Sequence, residues 1–160
     1  MSEGKVRVVT LPMHFVDDRG SLVEVFRCDE PSFENFGQVY IVEDFTAGTI
    51  RGFHRHFKMW DVFFIARGAA KFLFVDAGLD EPPDPSGNVY AITTAASKPT
   101  RLDVPPGVWH GWKALVDGTL LVSIASEPYM GKDRKGELDE ERVGPYFFHQ
   151  ASEMWQTEFK

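Results

Sequence analysis

Short runs of β-branched or alternating residues, each closed off by Gly, Pro or Asp, recur along almost the whole of this 160-residue chain. No long segment repeats its apolar residues with the 3.6 period of a helix. Residues 6–10, 21–26, 38–42, 59–66, 70–76, 89–94, 100–104 and 120–126 all read as strands. Asp17-Asp18-Arg19-Gly20 is a tight-turn signal ahead of the second of them. Such a series hides its apolar faces only by closing one sheet or stacking two, so the expected class is all-β, a sandwich or barrel.

The length suits one complete core and is short for two, so residues 1–160 are expected to form a single domain. The stretch 78–88, with Pro82, Pro83 and Pro85 among Asp80, Glu81 and Asp84, reads as a surface loop between two strands. Residues 131–141 turn polar without an apolar period and read as an irregular excursion or short helix. Glu137, Asp139, Glu140 and Glu141 within it read as a solvated face. Tyr146, Phe147, Phe148, Met154, Trp155 and Phe159 follow, so the tail 131–160 is expected to pack on the barrel or on a second subunit.

A 43% hydrophobic and 26% charged composition is that of a soluble globular domain. No apolar run approaches the ~20 residues that span a bilayer, and the opening Met1-Ser2-Glu3-Gly4-Lys5 does not read as a signal peptide. No membrane partner is expected. Cys28 is the one cysteine, which points to a reducing cytoplasm. A net charge of −7 argues against nucleic acid as the partner, although a few local arginines can still hold a diphosphate.

The chemistry concentrates in Gly48-Thr49-Ile50-Arg51-Gly52-Phe53-His54-Arg55-His56-Phe57-Lys58-Met59-Trp60-Asp61, closed by Gly68. On an extended segment His54 and His56 point to one face. A third imidazole, His110, follows in Pro105-Pro106-Gly107-Val108-Trp109-His110, where the turn delivers it at a strand start. Arg51 and Lys58 add positive charge. Imidazoles that titrate near neutrality suit proton removal beside a carbonyl. The same imidazoles with the Asp61 carboxylate suit a divalent transition metal. A pair of half-buried structural rings is the third reading. Trp109 and Trp112 flank His110, and one of them could line a cavity.

Gly48, His54, His56, Asp61 and Gly68 follow the spacing of the first cupin motif, and Pro105, Gly107 and His110 that of the second. The chain thus resembles the cupin superfamily, which implies a double-stranded β-helix, the jelly-roll barrel. A closer resemblance is to the dTDP-4-dehydrorhamnose 3,5-epimerases. It is carried by Asp17-Asp18-Arg19-Gly20 with Leu22 and Glu24, by Arg51-Gly52-Phe53-His54, and by Pro106-Gly107-Val108-Trp109-His110-Gly111-Trp112. The interval from Arg51 to Gly68 and Val108-Trp109-His110 also resemble the related dTDP-sugar 3,4-ketoisomerases.

The resemblance implies an isomerase that abstracts a proton next to the ketone of a nucleotide-diphospho-4-keto-6-deoxy sugar, without a cofactor and as a homodimer. It places the base at His54 and a second active-site histidine at His110, with His56 beside them. Diphosphate or sugar binding falls to Arg19 and Arg51, and Glu24 falls near the nucleotide. Asp61 stands where those epimerases carry a lysine, and Ser123 where they carry a tyrosine. Lys58 is the candidate to replace the former and Tyr129 or Tyr146 the latter, with Trp112 as a further substrate contact. Two rival readings remain. One is a metal-dependent cupin enzyme using His54, His56, Asp61 and His110; the other is a non-catalytic nucleotide-sugar binding cupin.

Overall fold

The structure, a computed structural model, describes residues 5–30, 35–129 and 139–156; Glu137 and Phe159 lie outside them. In chain order the strands are β1 (Arg7–Thr10), β2 (Met13–Asp17), β3 (Gly20–Val23), β4 (Gln38–Asp44), β5 (Ile50–His56) and β6 (Asp61–Arg67). They continue with β7 (Ala69–Val75), β8 (Val89–Ala95), β9 (Thr100–Val104), β10 (Trp109–Ala114), β11 (Thr119–Ala125) and β12 (Glu140–Arg142), and a short helix α1 (Ala151–Met154) follows. One antiparallel sheet has the order β1-β9-β6-β11-β4 and the other β12-β5-β10-β7-β8. From β4 to β7, and again from β8 to β12, the chain crosses between the sheets at every step, which is the winding of a jelly roll. Among the described residues the hairpin β2–β3 pairs only with itself.

Alternation along each strand decides which face is buried. β11 buries every second residue, and β7 sends Phe72 and Phe74 into the space between the sheets but Leu73 and Val75 to the other side. Between the sheets these rings pack with Phe63, Ile65, Leu102, Val104, Trp112 and Leu121. On the outer side, Leu73 and Val75 meet Phe53, Trp109, Phe148, Ala151 and Trp155. The second sheet is therefore covered on both faces, which explains why 70–76 reads as a nearly continuous apolar run. Lys71 donates to the carbonyls of Met154 and Gln156, and Lys113 to that of Trp155, so two strand lysines satisfy the end of α1.

The tail differs from its sequence reading in one respect. Glu140 and Glu141, expected to be irregular and solvated, form β12 with Arg142 at the edge of the second sheet, with Glu140 opposite His56 and Arg142 opposite His54. The reason is long-range pairing, not local pattern. The buried Arg55 donates to Glu141 and to the carbonyls of Gly78 and Glu81, tying β12 and the 78–88 loop to β5.

Candidate active site

β5 and β10 bring the histidines together. His54 and His110 are directly opposite in the ladder, and a bulge follows between His110 and Trp112. The strands can approach because Gly52 and Gly111 face each other. A Cβ on Gly52 would lie 2.6 Å from the Gly111 Cα, and one on Gly111 2.7 Å from the Arg51 carbonyl oxygen. The His54 and His110 ring centroids are 4.1 Å apart, and those of His54 and His56 5.3 Å. The Gly107 N–H donates to the His56 carbonyl at 2.8 Å, fixing the turn before β10 to the end of β5.

Behind these rings, at the start of β6, lies Asp61, 1% exposed. Its Oδ2 is 3.2 Å from His56 Nε2 and 3.5 Å from His110 Nε2, and the Ser123 hydroxyl donates to Oδ1 at 3.3 Å. A carbonyl oxygen only accepts, so the 2.8 Å contact of His56 Nδ1 with Asp139 and the 2.9 Å contact of His110 Nδ1 with Val108 put a proton on each Nδ1. Each ring therefore turns Nε2 toward the carboxylate. The alignment is imperfect, and His110 Nε2 and Asp61 Oδ2 are both buried without a well-formed hydrogen bond. Burial alone would raise the Asp61 carboxyl, but the flanking His110 and His56 outweigh it and hold it well below the usual range. Burial would likewise lower His56, yet the Asp61 carboxylate raises it above its ordinary value.

His54 is the opposite case. Burial first, and then the neighbouring His110 and His56, push it well below its ordinary value despite Asp61. It makes no side-chain hydrogen bond with a described residue, so it is a neutral imidazole with nothing to displace. His54, His56, Asp61 and His110 offer ligand atoms all within 4.8 Å of one another, a group that could also receive one divalent ion.

His54 and His56 open into a cavity of about 460 Å³, within the size range of small-molecule sites. Arg51, Trp112 and Tyr129 line it as well, so five of the sequence candidates share one wall system, and His110 stands against His54 behind it. Arg19, Glu24 and Lys58 do not line it. Arg19 sits on the β2–β3 turn, 88% exposed and 2.5 Å from Asp17, because that hairpin joins neither sheet. Glu24 follows β3, 3.6 Å from Arg27, and Lys58 is exposed in the turn after β5. Four polar lining residues escaped the sequence reading: Gln38 and Tyr40 on β4, and Glu140 and Arg142 on β12, which form an ion pair with each other. Period-two alternation along β4 could have found Gln38 and Tyr40. No local signal marks the other two.

The family profile described as dTDP-4-dehydrorhamnose 3,5-epimerase matches residues 5–144. The chain is 31% identical to the spore coat polysaccharide biosynthesis protein SpsL of Bacillus subtilis, over 97% of each chain. It is 28% identical to the TDP-4-oxo-6-deoxy-alpha-D-glucose-3,4-oxoisomerase of Aneurinibacillus thermoaerophilus, over 78% of this chain and 81% of that protein. The solved dTDP sugar isomerase of Desulfovibrio desulfuricans G20 superposes with a TM-score of 0.72 at 23% identity, covering 90% of this chain and 88% of that one, a likeness of fold. Profile, relatives and jelly roll agree, and the chain belongs to the dTDP-4-dehydrorhamnose 3,5-epimerase family.

Proposed function

We propose that this protein epimerises or keto-isomerises a nucleotide-diphospho-4-keto-6-deoxy sugar by proton transfer at a carbon next to the ketone. The observation that carries this reading is His54, a neutral imidazole that faces the cavity with no side-chain hydrogen bond among the described residues. It takes the proton from carbon, and the electron pair moves onto the ketone oxygen as an enolate. Arg51, a lining cation, offers donors to that oxygen or to the diphosphate. One well-placed donor of this kind contributes a factor of ~10²–10³. None of these steps calls for a cofactor. The test is incubation in heavy water with a dTDP-4-keto-6-deoxyhexose. Deuterium enters a carbon next to the ketone; saturable binding with no carbon-bound exchange would overturn the reading.

A second reading rests on one observation, that His110 Nε2 and Asp61 Oδ2 are buried and face each other without a well-formed hydrogen bond. A divalent transition metal among His54, His56, Asp61 and His110 would satisfy both atoms, and the Nδ1 protons held by Val108 and Asp139 are the outer-shell support such ligands use. Metal analysis of protein purified without chelator decides it: a stoichiometric ion that His54→Ala loses supports this reading, and its absence removes it.

We infer that the protein works as a homodimer in the cytoplasm. β4 turns Val39 and Ile41 outward, 56% and 65% exposed, with Phe45 beyond them at 79%. An apolar strip of this kind on an edge strand suits a second copy. The exposed free thiol of Cys28 suits a reducing compartment. Among the described residues no helix is long and apolar enough to cross a membrane. Sedimentation equilibrium checks the dimer, and Ile41→Lys is expected to give monomers.

A further inference from the structure

We propose that Tyr40 is the acid that delivers a proton to the enolate, working across the cavity from His54. This rests on the proton-transfer reading above and names a group it left open. The two side chains come from different sheets, Tyr40 from β4 of the first and His54 from β5 of the second, and both line the cavity. A sugar ring between them presents one face to each wall, and inversion of a carbon needs a base on one side and an acid on the other.

The surroundings of Tyr40 fit this role. Its partner in the β4–β11 ladder is Ser123, fully buried and in hydrogen-bonding contact with the phenol. The Ser123 hydroxyl is also 3.3 Å from Asp61 Oδ1. Tyr40, Ser123 and Asp61 thus form a continuous polar line from the β4 wall to the carboxylate beneath the histidines. Tyr129, the phenol singled out from sequence, is 45% exposed, and its hydrogen-bonding contact is with Arg142, which pairs with Glu140 rather than with Asp61. Burial and then the nearby Asp61 charge push the Tyr40 phenol upward, against the Ser123 contact, so it keeps its proton at neutral pH.

The step balances. His54 accepts the proton as the C–H bond breaks, and the electron pair rests on the ketone oxygen. The pair then returns to carbon as a new C–H bond whose proton comes from the Tyr40 hydroxyl. The phenolate regains a proton from solvent, and His54 returns its own to solvent.

The test is Tyr40→Phe, which keeps the ring and removes only the hydroxyl, assayed in heavy water with a dTDP-4-keto-6-deoxyhexose. Inversion falls by ~10²-fold or more. Deuterium still enters the recovered substrate at close to the wild-type rate, because His54 can remove and replace a proton on its own face. Inversion at the wild-type rate would overturn the proposal, and so would loss of exchange together with inversion. Ser123→Ala, which keeps the phenol and cuts the line to Asp61, gives the same pattern in milder form; no change in it would remove the relay. A wild-type protein that binds substrate but exchanges nothing sinks the proton-transfer reading and this proposal together. Wild-type exchange with normal inversion by Tyr40→Phe sinks this proposal alone.

Discussion

Arg51 meets Asp44 through one 2.7 Å hydrogen bond from its Nε, which leaves both terminal guanidinium nitrogens without a partner among the described residues. The other oxygen of Asp44 accepts the indole N–H of Trp112 at 3.0 Å. Arg51 and Trp112 both line the cavity, so one buried carboxylate orients a cation and an aromatic face of the same site. Asp44 itself is not a lining residue. It acts by positioning the other two.

Asp44→Asn should therefore raise KM by about tenfold with kcat little changed, because a neutral amide holds the guanidinium less firmly than a carboxylate does. Asp44→Ala goes further, leaving the buried indole N–H of Trp112 unpaired at a cost of about 1–3 kcal/mol. Steady-state kinetics and urea denaturation separate the two effects. An unchanged KM in Asp44→Asn would show that Arg51 does not bind substrate.

Much of this site was legible before the structure, and the limits are instructive. His54 and His56 could be paired because a strand alternates sides, and His110 could be added because Pro105, Pro106 and Gly107 set a turn ahead of it. Asp61 was legible as a partner by its place in the motif. Glu140 and Arg142 were not, because β12 is held to β5 by Arg55 and Glu141, a contact across a long sequence interval that leaves no local period. Tyr40 was half legible: alternation gives its face, but only the small Ser123 opposite makes room for a polar line there. Arg19 and Glu24 belonged to the motif resemblance, yet the β2–β3 hairpin that carries Arg19 and precedes Glu24 pairs with itself, and no local pattern says where such a hairpin sits.

His54→Asn keeps a polar side chain of similar reach but no proton-accepting nitrogen. Exchange of carbon-bound hydrogen should fall by ~10²–10⁴-fold, with binding of the nucleotide sugar retained within a few-fold. Isothermal titration and deuterium wash-in measured on the same preparation test this directly. Exchange that persists at the wild-type rate would assign the base to another group.

Acid stability should depend on an ion pair that does not line the cavity, Arg101 with Glu30. Arg101, 1% exposed, binds Asp103 and Glu30, donates to the Val25 carbonyl and lies over the Phe26 ring, so it fastens the 25–30 segment to β9. The guanidinium holds the Glu30 carboxyl below its ordinary value, against the opposing effect of burial. A depressed carboxyl stabilises the fold fully above its unfolded value and ceases to do so as pH falls through the folded one. Glu30→Gln is thus expected to be about 1 kcal/mol less stable than wild type near neutrality, a modest figure because Glu30 is partly exposed. The gap should close below about pH 4. A gap of the same size at pH 3 and pH 7 would mean that charge plays no part.

The close approach of β5 and β10 can be tested without touching any ionisable group. An added methyl on Gly111 would meet the Arg51 carbonyl oxygen at 2.7 Å and the Gly52 Cα at 3.2 Å, both of them backbone atoms that cannot swing away. Relief requires the strands to part just where His54 and His110 face each other. Overpacking of this kind typically costs ~1–3 kcal/mol, so Gly111→Ala should still fold but with a lower melting temperature. Its catalytic loss should exceed what reduced stability explains, since a displacement of ~1 Å at a reacting group can cost ~10²-fold. The measurement is exchange rate per folded molecule well below the melting transition. A normal rate there would show that the spacing of the two rings has no bearing on proton transfer.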